Sequence, residues 1–132
     1  MDDLTAPFWA AAADHRLVRP VCRACGRSFF VPVFACPHCG SVAWGYEDSS
    51  GRGQVYSHTT VHRGPDGTWP VPYVLGIVDV EEGWSMLTRL LVEPPDEDEP
   101  GALIGTAVVV AFCPEGRPPF RQLPAFAPTG AR

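Results

Sequence analysis

The chain has 132 residues, enough for one domain or a domain with a small appendage, and enough to bury a core of its own. Its net charge of −5 argues against a general nucleic-acid binder. No apolar run approaches the roughly 20 residues that cross a bilayer, and with Asp2 and Asp3 at its start the chain shows no basic leader, so it reads as cytoplasmic, without a membrane partner.

All ten basic residues are arginine, so no side chain can supply the lysine amine that Schiff-base chemistry needs. Fifteen prolines and 13 glycines disfavour long helices and favour short strands joined by turns.

Residues 4–15 are the one helix candidate: Thr5 suits the cap, Pro7 the first turn, and an alanine run follows. Phe8 and Trp9 are adjacent and cover a broad front. They serve either the packing of the helix on its own domain or an aromatic-tipped arm that meets a partner. Arg16, Arg19, Arg23 and Arg27 come next, with Asp14 the only acid nearby. This local basic patch reads either as a solvated face or as a site for phosphate or for an acidic partner surface.

Residues 22–40 organise the rest. Two Cys-x-x-Cys-Gly knuckles, Cys22/Cys25 and Cys36/Cys39, stand ten residues apart, with Gly26 and Gly40 after them. Four thiolates at this spacing can surround one metal ion tetrahedrally. Two disulfides, or unpaired core cysteines, are the competing arrangements, and disulfides suit a cytosolic chain poorly. Zinc is favoured over iron, which takes the same donors. Four protein ligands leave no open position, so the site is structural and cannot activate water. His38 stands between two ligands and reads as a surface or supporting residue. Residues 29–34 are expected to run as a strand, with Pro32 at an edge, and residues 44–48 as a short return strand.

Residues 49–53 form the joint to a second, all-β module. In residues 54–63 the alternation places Val55, Ser57, Thr59 and Val61 on one face, and Tyr56, His58, Thr60 and His62 on the other. His58 and His62 lie about 13 Å apart along a strand, too far to share a metal. A turn at residues 64–67 leads to strands at 72–80 and 84–92, joined by a tight hairpin at Glu81, Glu82 and Gly83. Residues 93–101 form an acidic, exposed loop. Strands at 106–112 and 118–123 complete five, with Cys113 a small core residue at the end of the fourth. Five strands with close hairpins fit a small closed barrel of the oligonucleotide/oligosaccharide-binding (OB) type, with an open sandwich as runner-up. The expected division is a helical arm at 1–21, a zinc ribbon at 22–48, the barrel at 49–124 and a loose tail at 125–132. The chain carries no Gly-x-Ser-x-Gly, P-loop, Rossmann or His-Glu-x-x-His pattern.

From about residue 5 to 124 the chain resembles the zinc-ribbon/OB-fold proteins associated with acyl-CoA metabolism, long described as a domain of unknown function. The features that carry the resemblance are Phe8 and Trp9, the two knuckles, and the run from Ser50 through Gly51, Arg52, Gly53, Gln54, Val55 and Tyr56 to Ser57. Thr60 to Arg63, Val71 to Tyr73 and the strand at 105–112 add to it.

The resemblance implies a non-catalytic subunit. Its partner would be a thiolase-like or lipid-transfer-protein-like enzyme, a thiolase or a steroid side-chain aldolase, that carries the catalytic residues and acts on a coenzyme A ester. A hotdog-fold enoyl-CoA hydratase is a further implied partner. Phe8, Trp9 and ribbon residues would dock on the partner, and Arg16, Arg19, Arg23 and Arg27 would meet it or the coenzyme A phosphates. Two other readings are a single-stranded nucleic-acid-binding barrel, which the charge disfavours, and a stand-alone acyl-CoA-binding protein.

Overall fold

The computed structural model describes residues 4–64, 71–113 and 123–129. One short helix, α1 (Ala6–Ala13), precedes a two-stranded antiparallel sheet of β1 (Val18–Cys22) and β2 (Trp44–Asp48). Five further strands follow: β3 (Arg52–Val61), β4 (Tyr73–Val80), β5 (Trp84–Leu90), β6 (Ala107–Cys113) and β7 (Leu123–Pro128). They close into a barrel in the order β3-β4-β5-β7-β6, the expected OB architecture.

An isolated eight-residue helix is marginal in water and persists by docking an apolar side. Here α1 buries Phe8, Ala11 and Ala12. Phe8 is 4% exposed and belongs to the same core cluster as Val55, Val78, Trp84 and Phe126 of the barrel. Thr5 occupies the cap position, without a side-chain cap hydrogen bond. The helix ends two residues earlier than expected because His15 takes a left-handed conformation, φ 58°. The N–H groups of His15 and Arg16 then reach back to the carbonyls of Ala12 and Ala11, each at 2.9 Å, in the manner of a Schellman cap. Glycine usually fills that position; here the His15 ring stacks on Phe112 of β6, centroids 5.5 Å apart and planes 6° from parallel.

Residues 29–34 do not form the expected strand. β1 is paired with β2 along its whole length, and on its other side Val21 makes only an isolated bridge to Ser28. The segment beyond Ser28 therefore has no ladder to join, and Pro32 has no N–H to offer one. Its two aromatic residues divide between two cores. Phe29, 4% exposed, sits with Cys22 and Cys36 in a small ribbon core against Trp44. Phe30 lies between Phe8 and Trp84, at 5.5 and 5.4 Å between ring centroids.

The face assignment of β3 also changes part-way along. The register with β4 slips between Val55 and Ser57, the mark of a β-bulge, with Tyr56 left 61% exposed. Beyond the bulge Ser57, Thr59 and Val61 lie opposite Ile77, Leu75 and Tyr73, whereas His58 and Thr60 lie opposite the buried Gly76 and Val74. Val55 thus shares the inner face with His58 and Thr60, not with Ser57, Thr59 and Val61. One extra residue inverts a period-two pattern from that point on.

The last strand is displaced furthest from expectation. Residues 114–122 lie outside the described residues, and β7 begins at Leu123, where residues 118–123 were expected to be the strand and 125–132 a tail. Ala125 and Phe126 are 1% and 0% exposed. Phe126 faces Val110 on β6 in an antiparallel pair and Leu90 on β5 in a parallel one. The barrel therefore extends through Pro128. Cys113 ends β6, and its side chain, like the turn at residues 65–67, lies outside the described residues.

Candidate metal centre and module junction

The two knuckles are built alike. Cys22 N–H bonds to the Arg27 carbonyl at 2.9 Å and Cys36 N–H to that of Ser41 at 2.8 Å. Gly26 and Gly40 N–H groups return to the carbonyls of Cys22 and Cys36, at 2.9 and 2.8 Å. Both turns need a positive φ, 77° at Gly26 and 80° at Gly40, which explains the glycine after each second cysteine. Backbone N–H groups aim at sulfur, Cys25 at Cys22 Sγ (3.5 Å) and His38 at Cys36 Sγ (3.4 Å). The His38 side chain is exposed.

The four sulfurs lie within 4.8 Å of one another. Cys22 Sγ is 3.6 Å from Cys39 Sγ, and Cys25 Sγ 3.8 Å from Cys36 Sγ. A disulfide needs about 2.0 Å, whereas a regular tetrahedron with metal–sulfur bonds near 2.3 Å has edges of about 3.8 Å. The residues present fit a tetrathiolate metal, and zinc suits them. All four positions would be filled by protein, so the metal would hold residues 22–39 together and leave no site for a substrate. Without metal the thiols do not titrate alike. The Cys25 N–H, against the opposing effect of burial, holds Cys22 down to about 6. The Ser41 N–H pulls Cys39 down, but its hydrogen bond with Cys22, burial and the other two sulfurs outweigh it and push Cys39 up to about 11.

The second cluster of polar groups joins the modules. Glu82, in the turn between β4 and β5, accepts Ser49 Oγ–H at 2.7 Å and Trp84 Nε1–H at 3.0 Å on one oxygen, and Ser50 N–H at 2.6 Å on the other. Burial works against its charge, but the Ser50 N–H, the Ser49 hydroxyl and the Trp84 indole outweigh that and hold the carboxyl down at about 2. The same joint is tied by the Ser49 N–H to the Leu17 carbonyl at 2.8 Å, and by Tyr46 Oη donating to the Leu4 carbonyl at 2.5 Å. The sequence marks this place only as a Ser-Ser-Gly-Arg-Gly joint, and Glu82 only as a hairpin residue. No local pattern announces that the two meet 32 residues apart.

The arginines separate into two pairs. Arg16 bonds to Asp48, not Asp14, at 2.8 Å. Arg19 donates to Ser28 Oγ at 2.8 Å and to the Asp48 carbonyl. Arg23 and Arg27 are exposed, with no ion-pair partner among the described residues. A cleft beside Arg27 is lined by Gly26, Ser28, His38, Glu82 and Gly83. Trp9 is half-buried, edge-on to Phe8 at 5.2 Å. His58 Nε2 accepts the Leu103 N–H at 3.1 Å, and His62 lies 3.8 Å from Glu97, so the two histidines have separate surroundings.

Two family models match in tandem: "ChsH2, rubredoxin-like zinc ribbon domain" over residues 9–44, and "ChsH2, C-terminal OB-fold domain" over residues 46–125. The chain belongs to the ChsH2/DUF35 family. A DUF35 domain-containing scaffold protein of Methanocaldococcus jannaschii is 34% identical over 114 residues, 84% of this chain and 78% of that protein. A probable enoyl-CoA hydratase alpha subunit of Thermomonospora curvata is 38% identical over 92% of this chain, which spans 36% of that relative's length. Among solved structures, a chain of the Ltp2-ChsH2(DUF35) aldolase superposes with a TM-score of 0.80 at 35% identity, covering 97% of this chain and 96% of that one. The ChsH2/DUF35 assignment accounts for both the ribbon and the barrel. Among the described residues no helix is long and apolar enough to cross a membrane.

Proposed function

We propose that the chain is a non-catalytic accessory subunit of a thiolase-superfamily complex that acts on an acyl-CoA ester. One observation carries this reading: near end-to-end likeness to the DUF35 chain of a two-part aldolase. The metal site agrees with it, since four filled positions offer no water or substrate a place. In this reading the partner does the C–C bond chemistry, thiolysis or retro-aldol cleavage, and this chain supports it. The coenzyme A ester of a steroid side chain is the substrate class we propose, from the family resemblance of the sequence.

The ribbon side meets the partner. Arg27, in the cleft with Ser28 and His38, and the exposed Arg23 are suited to the coenzyme A phosphates or to partner carboxylates. Arg16 and Arg19 hold the β1–β2 sheet and reach a partner only at its margin. Phe8, buried, acts from beneath by seating α1, and Trp9 is the aromatic residue of the arm that can contact a partner. The hydratase relative supports a second assembly, with the module appended to an enoyl-CoA hydratase.

Co-purification with a tagged thiolase-superfamily protein encoded beside this chain tests the reading. Capture is expected, with partner solubility and turnover falling when this chain is omitted. Full solubility and activity of the partner alone would refute it.

A further inference from the structure

β6 pairs with β3 only from Arg52 to Gln54. Beyond that ladder the chain leading into β6 is fastened to β3 at two places. The first is all backbone: Gly105 N–H donates to the Val55 carbonyl at 2.8 Å, and Val55 N–H to the Thr106 carbonyl at 3.0 Å. The second uses a side chain. His58 Nε2, past the bulge, accepts the Leu103 N–H at 3.1 Å. Between them the chain turns on itself, with Ile104 N–H on the Gly101 carbonyl and Thr106 N–H on the Leu103 carbonyl, each at 3.0 Å. Leu103 is half-buried and packs against the barrel core.

The two fastenings differ in chemistry. Backbone groups do not titrate, whereas histidine is the side chain whose ordinary charge change falls between about pH 5 and 8. A ring nitrogen that accepts an N–H needs its lone pair, so the His58 ring here is neutral with its proton on Nδ1. A protonated imidazole carries N–H on both nitrogens and has no acceptor left. Two N–H groups would then face each other, and the Leu103 N–H would lose its partner in a half-buried position.

The surroundings of His58 leave this change uncompensated. β4 faces it with Gly76, flanked on the same side by the buried Val74 and Val78, and β5 turns Met86, Thr88 and Leu90 to that inner face. None of these titrates. Arg89 lies on the opposite face of β5, and Arg63 is exposed beyond the end of β3. Residues 93–99 carry the nearby acids of the connection, and among the described residues none is ion-paired with His58. Glu97 instead lies 3.8 Å from His62 Nε2. That contact has the opposite requirement, since it gains when His62 is protonated, but its side chains are 65% and 89% exposed and it holds little.

We propose that His58 is a proton-operated latch on residues 101–105. Neutral, it holds Leu103 against β3; protonated, it releases Leu103 while the Val55 bonds keep β6 in place. The latch belongs to the barrel alone and does not depend on the accessory-subunit reading.

Amide exchange and imidazole ¹⁵N spectra of the zinc-loaded protein, recorded from pH 8 to pH 5, test it. Zinc content is measured at each pH, and the Val110 amide, bonded to the Gly51 carbonyl, is the internal control. At pH 8 the His58 signals should show an unprotonated Nε2. As the ring takes up its second proton, protection of the Leu103 amide, corrected for intrinsic exchange, is expected to fall about 10-fold or more while Val110 is unchanged. His58→Gln supplies an oxygen acceptor that does not titrate, so its Leu103 amide should stay protected at pH 5, whereas His62→Gln should behave as wild type. Leu103 protection that persists once His58 is protonated would overturn the latch. So would a ring still neutral at pH 5, an equal loss in His58→Gln, or a loss shared by Val110. If His58→Gln does not fold, the wild-type coincidence of ring protonation and Leu103 release decides alone.

Discussion

Replacing Glu82 by glutamine should loosen the joint between ribbon and barrel, by an amount that depends on pH in a defined direction. The carboxylate receives Ser49 Oγ and Trp84 Nε1 on one oxygen and Ser50 N–H on the other. A glutamine has only one oxygen, so its amide NH2 must face either the Ser50 N–H or the Trp84 indole N–H. The carboxyl is held at about 2 against an ordinary 4.5, and each pH unit of displacement corresponds to about 1.4 kcal/mol. That sets a ceiling of about 3 kcal/mol, and solvent screening of a partly exposed group brings the expected loss to about 1–2 kcal/mol.

Because the folded-state value is depressed, this stabilisation is complete above about 4.5 and disappears as pH falls towards 2. Urea unfolding of wild type and Glu82→Gln should therefore differ at pH 7 and converge near pH 2. Metal release in acid is common to both proteins and cancels in the difference. A gap that stays constant from pH 7 to pH 2 would show that packing rather than charge is responsible, and no gap at pH 7 would refute the role of the joint outright.

Phe126→Ala should lower stability by about 3–5 kcal/mol, the usual result of truncating a fully buried phenylalanine; thermal unfolding checks it, and a loss under 1 kcal/mol would contradict its place in the barrel core. Gly51 has φ 71° and a Cβ there would collide with Val110, so Gly51→Ala should lower the melting temperature by several degrees, corresponding to about 1–3 kcal/mol. Chelation, or Cys39→Ser, should abolish stoichiometric metal and release the knuckle amides of Cys22, Gly26, Cys36 and Gly40 while β3 to β7 stay protected, since the ribbon core of Cys22, Phe29 and Cys36 is separate from the barrel core, to which Val18 of β1 belongs; loss of protection throughout would mean that the metal holds the barrel too. Under the accessory-subunit reading, Cys22→Ser should impair assembly before turnover, and normal assembly with reduced turnover would count against the ribbon as a docking element.

Where the chemistry is local, the sequence alone determined the outcome. The knuckles could be read because each is a closed turn whose glycine and N–H···S contacts depend on five neighbouring residues, and two such turns suffice to define a tetrahedron. The Glu81-Glu82-Gly83 hairpin, the return strand β2 and the first four barrel strands were legible for the same reason: they follow from turn residues and short apolar alternation. Only the tertiary structure decided the rest. A bulge at Tyr56 inverts the face of β3 without any mark in the period-two pattern, because bulges answer to a partner strand's register. The sequence from Leu123 to Pro128, Leu-Pro-Ala-Phe-Ala-Pro, has the composition of a tail and becomes β7 because barrel closure leaves β5 and β6 each with an edge that, among the described residues, this segment fills. Phe8 goes inward and Phe34 outward, though both are aromatic residues of short segments, because Phe30 and the barrel core around Trp84 cover the first, whereas among the described residues the second stays 75% exposed. Burial is a property of what arrives from elsewhere in the chain, and single-residue chemistry does not encode it.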